Sequence, residues 1–244
     1  MITIVGTGHV FNLSQALLKV FDEKQPDILC VELDKQRYNA LMVKQTDPQK
    51  YKEHSKNLPF LYRILARFQE KIAEQYGVTP GEEMLTTIKY AQSHQIPLAF
   101  IDMNAQSLFA RLLKSMSISE KIRLAVSSLG SFFISKKHVE KEINEFDEKS
   151  DKYIKYISEK FPTIKRVLID ERNQYMVEQL RVANEQYEHV IAVVGDGHIP
   201  GISNLLSKKS IDFETIRLNE LRKQEDTIVS DISSASFSIK LKSN

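Results

Sequence analysis

The residues best suited to chemistry in this chain come as two matched turns. "MITIVGTGHVF" opens the sequence and "AVVGDGHIPGI" spans Ala192–Ile202. Each runs from an apolar segment through V-G-x-G into a histidine, His9 in the first and His198 in the second. Of the six histidines, these two alone have a glycine three positions before them. Glycine lets a chain turn sharply and lets a ligand or another backbone come close. A neutral imidazole at such a turn can bind a metal or move a proton. A third candidate is Glu32, which closes the apolar run "DILCVEL". A carboxylate there needs a partner, because burying it unpaired is costly. If Cys30 points into the core, Glu32 points the same way, since strand side chains alternate with period two. Two imidazoles and one carboxylate from three strand ends make a set for one divalent transition metal, Mn, Zn, Co or Fe. A metal so held keeps open positions for water and substrate, as Lewis-acid hydrolysis requires.

Ordinary structural readings stand beside these. A strand-end histidine is commonly a hydrogen-bonded structural residue, and Glu32 can form a strand-to-helix ion pair with Arg37. A glycine turn between strand and helix also suits an anion, with backbone N–H groups facing it. That third reading lacks a G-K-[ST] signature, and "GTGHVF" lacks the third glycine of a dinucleotide fingerprint. Within "RVLIDERNQYMVEQLRVA", Ile169, Met176, Leu180 and Ala183 follow one helical stripe, and Arg172 lies on or beside it. An inward arginine needs an acceptor: a carboxylate such as Glu32 or Asp102, or the developing oxyanion of a hydrolytic transition state. Glu82 and Glu83 open a helix after Pro80-Gly81, a place the helix dipole alone favours for acids.

The elements that must position these residues alternate. Val/Ile-rich runs predict strands at 2–5, 28–33, 98–102, 189–194 and 213–218. Helical patterns fall near 13–22, 35–45, 58–76, 82–94 and 105–115. The alternation predicts an α/β fold with a largely parallel sheet flanked by helices. No convincing strand lies between 116 and 187, so a helical insertion is expected there. The whole reads as one α/β domain over 1–218 followed by a polar C-terminal tail over 219–244, mostly mobile, in which "SFSIKLK" alternates like an edge strand. "QTDPQKYKEHSKN" reads as a long surface loop. In an open α/β sheet, ligands collect beyond the carboxyl ends of the strands, where both histidine turns would then fall.

Composition sets the broad class. Hydrophobic content of 42% and charged content of 27% are those of an ordinary globular chain. A net charge of +2, from 34 bases and 32 acids, provides no electrostatic footprint for nucleic acid. The single cysteine, Cys30, excludes an internal disulfide or thiolate cage and reads as a small buried hydrophobe. No secretory signal and no stretch of transmembrane length is present, and "LAVSSLGSFFIS" is too short to span a bilayer. A soluble, cytoplasmic protein is expected, and a homodimer is compatible with the sequence.

Taken together, "GTGHVF", "VELDKQR", "GEEM", "IDMN", "DERNQYM" and "VVGDGHIPGI", in that order over residues 2–202, resemble the TraB/PrgY family. That family is related to GumN and to the Tiki metalloproteases. The resemblance implies a metal-dependent hydrolase acting on peptides or shutting down a peptide signal. It matches His9, Glu32 and His198 to the family's active-site positions, Glu83 to the glutamate after its glycine, and Arg172 to the arginine of its E-R pair. On this reading His9, His198 and a carboxylate hold the metal. Glu32 and Glu83 share the roles of ligand and general base, and Arg172 stabilises an oxyanion. Family members often have Asp-Arg where this chain has Asp102-Met103, and many carry membrane spans after the catalytic region. The alternative is a non-catalytic module that binds and sequesters a peptide in the same cleft.

Overall fold

The computed structural model describes residues 1–8, 11–47, 49, 81–131 and 158–242. The helix expected at 58–76, most of the polar loop and His9 lie outside the described residues. In chain order the elements are β1 (Ile2–Thr7), α1 (Ser14–Lys24), β2 (Ile28–Val31), α2 (Lys35–Thr46) and α3 (Glu82–Ser93). β3 (Leu98–Phe100), α4 (Ala105–Ser115), α5 (Ile118–Ser131) and α6 (Pro162–Lys165) follow. A π-helical turn, Arg166–Asp170, leads into α7 (Glu171–Asn184). The chain then forms β4 (Val190–Gly195), a single 3-10 turn (Asp196–His198), α8 (Ile199–Lys208), β5 (Phe213–Ile216) and α9 (Leu218–Lys242).

All five expected strands form, in one parallel sheet of order β3-β2-β4-β1-β5. Their near-continuous apolar runs fit a sheet covered on both faces. Alternation divides the side chains between two cores. Val5, Leu29, Val31, Ile191 and Val193 face α1, α3 and the start of α9, meeting Leu17, Phe21, Ile88 and Leu221. Ile4, Ile28, Cys30, Ala192 and Val194 face α7 and α8, meeting Met176, Leu180, Ile202 and Leu206. Burying each Val, Leu, Ile, Phe or Met among these contributes about 1.5–3 kcal/mol. Cys30 is fully buried, as its apolar context implied.

Local signals explain several helix starts. The Asp34 side chain accepts from the N–H groups of Gln36 and Arg37 and caps α2. Asn104 does the same for α4 through Ser107 N–H, 3.0 Å away. Ser117 and Glu120 form a reciprocal capping box at α5.

One sequence expectation needs correction. The stretch read as a C-terminal tail with an edge strand is helical as far as Lys242. Its first turns are held from a distance: Leu218 and Leu221 are buried, and buried Glu225 accepts the Ala16 N–H at 2.7 Å. α1 has Leu13 at its N-cap and no side-chain cap of its own, so α9 supplies one. Burial holds the Glu225 carboxyl above its ordinary pKa, against the opposing pull of the Ala16 and Gln15 N–H groups. The described residues of the helical insertion expected over 116–187 include α5, α6, the π-helical turn and α7, and α7 packs on the sheet through Met176, Val177, Leu180 and Ala183.

Candidate functional site

The strand order makes β2 a neighbour of both β3 and β4, so three carboxyl ends lie side by side. Pairing continues past the strands: Glu32 N–H donates to Val193 O at 3.1 Å, and Asp102 N–H donates to Leu33 O at 3.3 Å. Glu32 therefore sits between Asp102 on one side and the Gly195–His198 turn on the other. Period two carries its side chain to the same face as Cys30, toward α7 and α8.

Glu32 is 4% exposed and doubly held. Its Oε2 accepts the Gly195 N–H at 2.5 Å, and its Oε1 accepts from Arg172 Nη2. Arg172 also donates from Nε to Asp102 Oδ1 (2.9 Å), from Nη2 to Asp102 Oδ2 (2.7 Å) and from Nη1 to Leu168 O (3.3 Å). Burial works against a charge on Arg172, but the Glu32 and Asp102 carboxylates raise its pKa above the ordinary arginine value. Asp102 takes a second guanidinium, from Arg37 Nη1 at 2.7 Å. The ion pair open to Arg37 thus forms with Asp102, while Glu32 pairs with Arg172. The π-helical turn just before α7 supplies the Leu168 carbonyl that braces the Arg172 guanidinium.

His198 is buried at the end of the 3-10 turn. Its Nδ1 lies 2.6 Å from Asn173 Oδ1, and its Nε2 faces Glu32 Oε1 across 3.5 Å. A Cβ added to Gly201 would stand 2.1 Å from Asn173 Nδ2, so the glycine of "IPGI" is what admits Asn173. Gly195 and Gly6 of the two turns also allow close approach. A Cβ on Gly195 would come within 3.3 Å of Glu32 Oε2. A Cβ on Gly6 would overlap Asp196 Oδ1 at 2.3 Å and Ile199 Cδ1 at 2.6 Å. Asp196 in turn is clamped by Arg217, from Nε at 2.9 Å and Nη2 at 2.6 Å. The doubled motif thus lies on adjacent strands, with Thr7 in register with Gly195.

Of the residues singled out from sequence, Glu32, Arg172 and His198 come together. Glu83 is buried in the first turn of α3, in the layer on the opposite face of the sheet. The start of that helix meets the start of α1 where Thr86 and Ser14 hydroxyls lie 3.0 Å apart, at the same carboxyl edge. Sequence reasoning missed Asn173. Its signal was a polar residue at the head of the buried stripe Asn173, Met176, Val177, Leu180. Among the described residues, no group of three or more His, Cys, Asp or Glu side chains is arranged to hold a metal.

The sequence profile of the TraB/PrgY/gumN family matches residues 1–213. The chain belongs to this family. An uncharacterized protein of Methanocaldococcus jannaschii is 31% identical over 93% of the chain and 59% of its own length. A TraB domain-containing protein of Homo sapiens is 24% identical over 82% of the chain and 61% of its own length, and its Mus musculus counterpart is similar to the same extent. This member of the family thus spans about three fifths of the length of these relatives. Among its described residues, no helix is long and apolar enough to cross a membrane.

Proposed function

We propose that this protein is a metal-dependent hydrolase of peptide bonds, with its centre at the carboxyl ends of β2 and β4. The observation that carries the reading is the 3.5 Å gap between His198 Nε2 and Glu32 Oε1. That gap is too long for a good hydrogen bond. It is close to the roughly 3.4 Å separating two donors that each lie about 2.0–2.2 Å from a tetrahedral metal. The donor set, imidazole and carboxylate, also suits such an ion. His198 and Glu32 would hold it, and His9, the histidine of the matching turn, is proposed as the third ligand. A divalent Mn, Zn, Co or Fe ion there would supply a Lewis acid that polarises a scissile carbonyl and activates water.

The chain's own residues would do the rest. Gly195 N–H and Arg172 fix the orientation of Glu32. Four of the five Arg172 N–H groups are committed to Glu32, Asp102 and Leu168 O. This favours a positioning role for Arg172 and leaves one N–H for an oxyanion. With Glu32 as ligand, Glu83 is the carboxylate proposed to take the proton from water.

The same saturation of Arg172 and its carboxylates also supports a second reading, a non-catalytic cleft that sequesters a peptide. One experiment separates the two: a mixed peptide library is incubated with the full chain and each metal, and products are read by mass spectrometry. Hydrolysis predicts peptide fragments that disappear in Glu32→Gln and His198→Ala. Peptide retention that survives chelation, with no fragments under any metal, would favour the binding module.

A further inference from the structure

His198 is held by one side chain that none of the roles above uses. Asn173 and His198 are both buried, and Oδ1 and Nδ1 are 2.6 Å apart, within strong hydrogen-bond distance. The amide oxygen can only accept, so a bond of this geometry requires the imidazole proton on Nδ1. The opposite tautomer would place a proton on Nε2, where the facing acceptor, Glu32 Oε1, is 3.5 Å away. That oxygen already takes a guanidinium N–H from Arg172. The Nε2–H form would therefore give up a short bond for a long one.

The backbone is arranged around this contact. Asn173 enters α7 within the phase set by the preceding π-helical turn, ahead of the apolar stripe of Met176 and Leu180. The Asn173 amide nitrogen occupies space that only a glycine at 201 leaves open. Any side chain there would push the amide away from His198.

We propose that Asn173 is the positioning residue of His198: it pins the proton on Nδ1 and presents a bare Nε2 toward Glu32. The inference rests on the proposed function only for what that lone pair does. A histidine that binds a metal through one nitrogen characteristically donates from the other to an oxygen, and loss of that partner weakens metal affinity about 10–100-fold. Gly201 acts one step further out, by making room for Asn173.

The test is nitrogen NMR of the full chain labelled at histidine, recorded free of metal at a pH where the imidazole is neutral, with His198 assigned by His198→Gln. The protonated and bare ring nitrogens give well-separated signals that identify the tautomer. Wild type and Asn173→Asp, which keeps an accepting oxygen, should both carry the proton on Nδ1. Asn173→Leu should lose that preference, and Gly201→Ala should lose it through displacement of the amide. A wild-type Nε2–H tautomer, or an Nδ1–H form unchanged in both Asn173→Leu and Gly201→Ala, would overturn the inference. If those two variants do not fold, wild type and Asn173→Asp still decide it. Metal affinity measured alongside separates this inference from the hydrolase reading. An Nδ1–H tautomer in a protein that binds no metal would leave Asn173 in its role and remove the hydrolase.

Discussion

Gly6 and Asp196 are packed so closely that a Cβ on Gly6 would stand 2.3 Å from the Asp196 carboxylate. The first glycine of one turn therefore makes room for the aspartate of the other. Arg217 and the Leu218 N–H bind that aspartate and tie both turns to the start of α9. Gly6→Ala must displace Asp196 or Ile199, an overpacking expected to cost about 1–3 kcal/mol. Chemical unfolding of the variant measures it, and unchanged stability would contradict so close a packing.

Arg172 carries the charge balance of two buried carboxylates. Its removal takes from Glu32 and Asp102 the guanidinium they share, while Arg37 stays on Asp102. Arg172→Ala should destabilise the fold by about 3–5 kcal/mol. Adding Glu32→Gln should recover part of that loss, because the pair shares one interaction. Strictly additive effects in a double-mutant cycle would show that the two side chains are not coupled.

Glu120 predicts a pH dependence. Burial opposes its ionisation, but the N–H groups and hydroxyls of Thr163 and Ser117 hold its pKa below the ordinary carboxylate value. A carboxyl with a depressed folded pKa stabilises the fold above the ordinary range and loses that stabilisation as the pH falls through the folded value. Glu120→Gln should therefore be less stable than wild type near neutrality, by about 1.5–3 kcal/mol. The difference should shrink on acidification through and below the carboxylate range. A pH-independent gap would assign the effect to packing.

Cys30 lies in the sheet, fully buried, and burial pushes its thiol pKa up to about 12. The thiolate is the reactive form, so a disulfide reagent should label the folded protein only as fast as it unfolds. Immediate stoichiometric labelling in native buffer would contradict the burial of β2.

Much of this was legible from residues alone, for identifiable reasons. Apolar runs bounded by turn residues marked all five strands, and period two placed Glu32 on the face of Cys30. Helical spacing likewise brought Arg172 inward beside the Met176 stripe. Pairing was less legible, because it depends on a strand order in which β4 inserts between β1 and β2. That insertion brings Glu32 to Gly195, and the β2–β3 pairing brings Arg37 to Asp102. The helix at Leu218–Lys242 is not legible in the sequence because its local pattern is weak and serine-rich. Its anchorage is tertiary, through Leu221 against the sheet and Glu225 at the N-terminus of α1. The role of Asn173 is not legible in the sequence because its partner lies 25 residues away, across the α7–α8 contact.

A metal held between the two histidine turns is detected by the metal content of the full chain, purified without a chelator or a metal-affinity tag. Wild type is compared with a His9→Ala, His198→Ala double variant. Wild type should carry about one equivalent of a transition metal, and the variant should lose it. No metal in wild type, together with no thermal shift on adding Mn, Zn, Co or Fe, would contradict it.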